Sequence, residues 1–236
     1  MQAETPGSRR SAAAVAGLID HTLLKAFGPE SDLRTLCAEA VEYRFASVMV
    51  HPCQIERCLA WLQGSGIPVG TVIGFPLGQN TTAVKEFEMR DALRRGAREL
   101  DMVINLRALQ AGDLGQVRAE LEILAGVCRA AGAVSKAILE TCYLTDAEKR
   151  RACELARETG VQFVKTSTGF GSGGATVADI RLMRETVGPA VGVKASGGIR
   201  DAATALAMIE AGANRLGTSS GVAIVRELLQ REKGDA

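Results

Sequence analysis

Eight short β-like runs alternate with amphipathic stretches along this 236-residue chain, and no Pro/Ser-rich linker interrupts them. The runs cover 17–22, 47–51, 68–75, 99–105, 135–141, 162–166, 191–196 and 214–218. Several are nearly continuous in apolar residues, as parallel strands covered on both faces must be. The segments between them place apolar residues at helical spacing. In "PESDLRTLCAEAVEYRF", Leu33, Leu36, Cys37, Ala40 and Val41 form an expected buried stripe, with Ser31 as N-cap. "NTTAVKEFEMRDALRRGA" offers Val84, Phe87, Ala92 and Leu93, with Gly96 near its end. "TDAEKRRACELARETG" opens on a capping box, Thr145 with Glu148, and stops at Gly160. "RDAATALAMIEAGA" runs from Asp201 to Gly212 in the same manner. Unbroken alternation of this kind predicts an α/β protein, a single (β/α)8 TIM barrel. One domain is expected over 1–236, with 1–15 a flexible extension and 231–236 a flexible tail. An open doubly wound sheet would need fewer strands and a glycine-rich first turn, which "IDHTLLK" lacks.

Composition narrows the functional classes. Lys and Arg number 28 against 27 Asp and Glu, so the net charge of +1 offers no basic nucleic-acid surface. Aromatic residues at 4% are too few for a base-stacking platform. No apolar stretch approaches the ~18 residues of a membrane span. The two arginines of "SRRSAAAVAGLID" faintly suggest an export signal, but the apolar run is short and ends at Asp20 and His21. The six cysteines form no C-x-x-C pair, which points to reduced thiols and a cytoplasmic setting.

The chemistry stands at the strand ends, where barrels of this kind carry their reactive groups. Lys165 in "QFVKTSTGFG" ends an otherwise buried strand, and Lys194 in "GVKASGGI" repeats the arrangement. Burying an ammonium is costly unless it is paired or drops its proton. A second cation beside Lys165 would disfavour its charged form, and a neutral amine attacks carbonyls. Asp101 in "ELDMVIN" is either charge compensation or a proton acceptor and donor. Asp20, His21 and Thr22 end the first strand, and Lys136, Glu140 and Thr141 belong to the fifth. "STGFGSGG", "SGG" (196–198) and "GTSSG" (217–221) supply backbone N–H groups and hydroxyls suited to a phosphate. His21 and His51 read as packing or hydrogen-bonding residues, because the "HPC" segment fits no zinc spacing. Lys85, Arg90, Arg94 and Arg95 read as a solvated helix face. Three readings stay open on residues alone: a Schiff-base enzyme, another phosphosugar-handling barrel enzyme using the lysine as general base, and a phosphosugar sensor without catalysis.

The set "LIDHTLL", "VGTVIGFPLG", "ELDMVIN", "KAILET", "VKTSTGF" and "VKASGGIR" resembles the deoxyribose-phosphate aldolase family of class I aldolases, over nearly the whole chain. That resemblance implies reversible cleavage of 2-deoxy-D-ribose 5-phosphate, in deoxyribonucleoside catabolism, through a Schiff base on Lys165. It implies Lys194 and Asp101 as the proton-transfer pair, without cofactor or metal. It implies Lys136 lining the site and Asp20 and Thr22 near the substrate hydroxyls. Thr168, Gly169, Ser196, Gly197, Gly198, Gly217, Ser219 and Ser220 complete the expected substrate-binding set. The implied partners are phosphosugar and aldehyde substrates and further copies of the chain, as a dimer or tetramer. Two departures stand out. Met49 in "SVMVHP" occupies a segment where many members carry a cysteine, and the tail "QREKGDA" lacks the tyrosine with which some members end.

Overall fold

The computed structural model describes residues 10–234. Eight parallel strands close into a barrel in chain order: β1 (Ile19–Leu23), β2 (Ser47–Val50), β3 (Val69–Ile73), β4 (Glu99–Val103), β5 (Val134–Ile138), β6 (Phe163–Lys165), β7 (Gly192–Ser196) and β8 (Arg215–Thr218), with β8 pairing back to β1. The helices are α1 (Ala12–Ala16), α2 (Glu30–Tyr43), α3 (Ile55–Trp61), α4 (Thr82–Arg94), α5 (Leu106–Gln110), α6 (Leu114–Ala131), α7 (Asp146–Thr159), α8 (Val177–Val187), α9 (Ala202–Glu210) and α10 (Gly221–Gly234). All eight expected strands are present. Closure leaves no exposed sheet edge, so each strand is buried on both faces, which explains the continuous apolar runs. Among the described residues no helix is long and apolar enough to cross a membrane.

The caps follow local chemistry. Thr145 and Glu148 form the capping box of α7, and Gly160 ends that helix in the left-handed region. Asp201 caps α9 through the Thr204 N–H. Ser31 is not a cap, however. Helix α2 begins at Glu30 after Pro29, whose fixed φ suits that position and which offers no side-chain bond. The small-residue segment around 12–16, read as part of a flexible extension, forms α1, with Ala12, Val15 and Ala16 buried and helix α10 as its packing neighbour. Residues 1–9 and 235–236 of the two expected flexible ends lie outside the described residues.

Two helix faces differ from the periodicity reading. Leu33, Leu36, Cys37 and Ala40 are buried as expected, but Val41 is 44% exposed. On α4 the difference is larger: Val84 and Phe87 are 45% and 67% exposed, while Lys85, Met89 and Ala92 face inward. Lys85 is therefore not on the solvated face with Arg90, Arg94 and Arg95. Its stem runs under Gly74, and its Nζ reaches Glu120 Oε2 on α6 (2.7 Å) and the Val103 carbonyl (3.0 Å). The ion pair turns the helix, and two apolar side chains are left outside.

Candidate active site

The strand register sets the site. Pairing of β4 with β5 puts Asp101 beside Lys136, and pairing of β6 with β7 puts Lys165 beside Lys194. Three ammonium groups converge on one carboxylate: Lys136 Nζ donates to Asp101 Oδ1, and Lys165 and Lys194 Nζ both donate to Oδ2, each at 2.8 Å. Asp20 stands behind, taking the Ser47 hydroxyl (2.7 Å), Arg215 Nη1 (2.6 Å) and a close contact from Lys194. Lys136 also donates to Glu99 (2.5 Å), which in turn meets Arg215 at 3.3 Å. Asp20, Asp101, Lys136 and Lys194 are fully buried. Met49 of β2 fills the barrel next to Gly70, where any Cβ would collide with its sulfur, so this part of the interior is packed with an unreactive side chain.

Four cations, Lys136, Lys165, Lys194 and Arg215, thus share three carboxylates, Asp20, Glu99 and Asp101. Burial would push every carboxyl up, but the surrounding ammonium groups hold Asp101 well below the usual carboxylate range, and Asp20 likewise. Lys136 is raised, because Asp101, Asp20 and Glu99 outweigh its desolvation. Lys165 moves the other way, down to about 8. Burial is the largest cause; Asp101 opposes it and Lys194 adds to it. Both expected causes, burial and the neighbouring cation, act on Lys165, and desolvation is the larger.

Lys165 also lines a cavity of about 290 Å3 at the C-terminal mouth of the barrel. Of the residues expected to bind substrate, Thr22, Thr168, Gly169, Ser196, Gly197, Gly198, Gly217 and Ser219 line it. Gly197 and Gly198 turn with φ of 84° and 81°, conformations that L side chains rarely adopt, and so keep backbone facing the cavity. At Gly217 a Cβ would lie 3.0 Å from the Lys194 stem, so glycine there lets that lysine cross the strand. Three expected site residues stand elsewhere. Asp20 and Lys136 lie beneath the cavity, within the charge network. Ser220 does not line it, and its N–H donates to Thr218 Oγ1 (2.9 Å).

Sequence reading missed four charged residues here. Lys25 and Arg200 sit on the cavity wall. Glu99 and Arg215 open β4 and β8 at the foot of the network, where a charge at a strand start reads as a solvated end. Glu140, noticed but given no role, has φ of 51° and accepts from the Thr168 N–H and hydroxyl, which fixes the loop after β6. Phe170 of the same loop lines the cavity, with its ring against Phe75 at 5.3 Å. His21 bonds Glu39 at 2.7 Å and His51 meets the Leu24 carbonyl at 2.9 Å, the roles expected of both. Among the described residues no group of three or more His, Cys, Asp or Glu is placed to hold a metal.

Fold and site together define a (β/α)8-barrel enzyme with a buried lysine at the wall of a glycine-lined cavity, the equipment of an aldolase. The chain belongs to the DeoC/LacD family of aldolases, whose profile matches residues 14–231. It is 56% identical over 220 residues to the deoxyribose-phosphate aldolase of Bacteroides thetaiotaomicron, covering 93% of this chain and 92% of that one. To the deoxyribose-phosphate aldolase of Thermoanaerobacter pseudethanolicus it is 55% identical, covering 90% and 96%. Among solved structures, the tetrameric deoxyribose phosphate aldolase of Aeropyrum pernix superposes with a TM-score of 0.87 at 33% identity, covering 94% of this chain and 93% of that one.

Proposed function

We propose that the chain catalyses the reversible cleavage of 2-deoxy-D-ribose 5-phosphate to D-glyceraldehyde 3-phosphate and acetaldehyde through a Schiff base on Lys165. The observation that carries this reading is the position of Lys165. It is the network cation in excess over the carboxylates, its amine loses its proton near pH 8, and it alone of the network lines the cavity. The neutral amine adds to C1 of the open-chain sugar, the adduct takes up a proton and water leaves, giving an iminium. Asp101, 2.8 Å from both Lys165 and Lys194, accepts a proton through a water, and Lys194 passes it on. Removal of the C3 hydroxyl proton forms the aldehyde of glyceraldehyde 3-phosphate. The C2–C3 bond breaks and its electron pair moves into the iminium, the task a metal ion performs in a metal-dependent cleavage. The enamine left on Lys165 takes a proton at C2, and water releases acetaldehyde and the free amine.

The loops at 168–169, 196–198 and 217–219, with Arg200 and Lys25, hold the phosphate, so binding far from the broken bond supplies positioning. Thr22 faces the sugar hydroxyls, and Asp20 and Lys136 act from beneath. The chain works as one domain over 1–236, in the cytoplasm, in deoxyribonucleoside catabolism, and as a homo-oligomer, in line with the tetramer named for the Aeropyrum pernix relative. The test is mass spectrometry of the protein reduced with borohydride in the presence of acetaldehyde. An ethyl adduct on Lys165, absent in Lys165→Ala, is the expected result. An unmodified Lys165 beside normal turnover would instead make the lysine a general base.

A further inference from the structure

We infer that Arg215 and Glu99 are positioning residues that set the protonation of Lys165 by closing a ring of alternating charges across the barrel interior. This rests on the Schiff-base reading of Lys165 and deepens it. The ring runs Arg215–Asp20 (2.6 Å), Asp20–Lys194 in close contact, Lys194–Asp101 (2.8 Å), Asp101–Lys136 (2.8 Å), Lys136–Glu99 (2.5 Å) and Glu99–Arg215 (3.3 Å). Six residues from β1, β4, β5, β7 and β8 take part, three of each sign, and the circuit closes on itself. Lys165 is outside it. It hangs from Asp101 as a seventh group, and that carboxylate is already engaged by Lys136 and Lys194.

The arrangement explains why one lysine, and not its neighbours, is free to lose its proton. Deprotonating Lys136 or Lys194 would leave a buried carboxylate short of a partner, which is unfavourable in a low-dielectric interior. Deprotonating Lys165 leaves the ring balanced. Arg215 makes this possible from the foot of the barrel. It opens β8, is not among the residues lining the cavity, rests on the Phe163 ring at 5.6 Å, and bridges the two carboxylates that start the circuit. A guanidinium stays charged at every working pH. It therefore commits one cation to Asp20 and Glu99, and Lys165 is not recruited to neutralise them.

The charged groups around Lys165 are Asp101 of β4, Lys136 of β5 and Lys194 of β7, with Asp20, Glu99 and Arg215 behind them. Lys25 and Arg200 share the cavity wall, and Glu140 after β5 is engaged with Thr168. None of the groups in front of Lys165 belongs to the ring's far side, so a change at Arg215 reaches Lys165 through charge rather than through lost substrate contact.

The experiment follows the pH dependence of two quantities: kcat/KM for 2-deoxyribose 5-phosphate, and the rate at which acetaldehyde is reductively trapped on Lys165. Arg215→Met removes a ring cation, so Lys165 keeps its proton as replacement, and both acid-side midpoints rise by on the order of one pH unit. Arg215→Lys keeps the charge and leaves the midpoints near wild type. Arg215→Met combined with Glu99→Gln removes one charge of each sign and restores them. A folded Arg215→Met whose midpoints match wild type overturns the proposal. So does a double variant shifted as far as the single one. Should Arg215→Met fail to fold, Glu99→Gln is read alone: a downward shift supports the ring, and an unmoved or raised midpoint overturns it. Absence of any acetaldehyde adduct in the wild type overturns the Schiff-base reading itself, whereas adducts with unshifted profiles overturn only the role of Arg215 and Glu99.

Discussion

Lys85 and Lys165 are both lysines withdrawn from water, yet they stand in opposite electrostatic situations. Lys85 lies between α4 and α6 with one carboxylate of its own, Glu120, and a backbone carbonyl as second acceptor. Lys165 shares Asp101 with two other ammonium groups and lines a cavity. Burial pushes both amines down, and each has a carboxylate opposing that shift. The difference lies in the charge count. The Lys85–Glu120 pair is one to one, so losing its proton would strand a buried carboxylate. Lys165 is surplus in a set of four cations and three carboxylates, so losing its proton restores balance. Burial alone does not make a nucleophile; burial in excess of the available counter-charge, beside a cavity, does.

The sharpest way to break this comparison is to replace both lysines by methionine, one at a time. Lys165→Met is expected to lower kcat for aldehyde release on the order of 10^4-fold or more, measured by coupled assay. The same variant should be as stable as wild type or more so at pH 7, because it removes an unbalanced buried cation and leaves Asp101 with Lys136 and Lys194. Lys85→Met should do the reverse. It leaves Glu120, whose Oε1 already lacks a partner among the described residues, without its counter-ion. A loss of about 3–5 kcal/mol in urea unfolding is expected, with kcat per folded molecule retained. A Lys85→Met protein as stable as wild type would show that the pair is not what fixes α4. Adding Glu120→Leu to Lys85→Met should recover most of the loss, to within about 1–2 kcal/mol, since an apolar pair fills the same space with no charge left over.

The same two regions show how far sequence reaches. The strand ends were legible because a charged residue in a doubly buried strand has few structural reasons to be there, and Lys165, Lys194 and Asp101 do meet in space. The barrel was legible because eight βα repeats admit few topologies. Lys85 was not legible. On α4, Val84 and Phe87 have the spacing of a buried face, and nothing local marks Lys85 as the residue that turns inward. Its partner Glu120 lies 35 positions away on another helix. Periodicity counts apolar residues, and it fails where a long-range ion pair outweighs two of them. Arg215 and Glu99 were missed for a related reason. Each sits at a strand start, where a charge reads as a solvated end, and only closure of β8 onto β1 brings Arg215 to Asp20. The order of causes acting on Lys165 was also beyond the sequence, because desolvation depends on how completely the barrel encloses the amine.

The finest test of the comparison is the pH dependence of stability. A lysine whose folded value is about 8 and whose unfolded value is the ordinary ~10.4 binds more protons in the unfolded chain between those limits. Stability then rises with pH across that window, and below pH 8 the folded state carries the full cost of the charged amine, at most about 3 kcal/mol. Lys165→Met has no such group. Its advantage over wild type should therefore be largest below pH 8 and shrink as pH climbs toward 10, read as the difference between two urea-unfolding series. Lys85→Met offers no equivalent gain, because it removes the counter-ion of the buried Glu120 carboxylate. A Lys165→Met advantage that stays flat from pH 6 to pH 10 would mean that burial does not depress the Lys165 amine in the folded state, and the reading of Lys165 as a surplus lysine would not hold for this barrel.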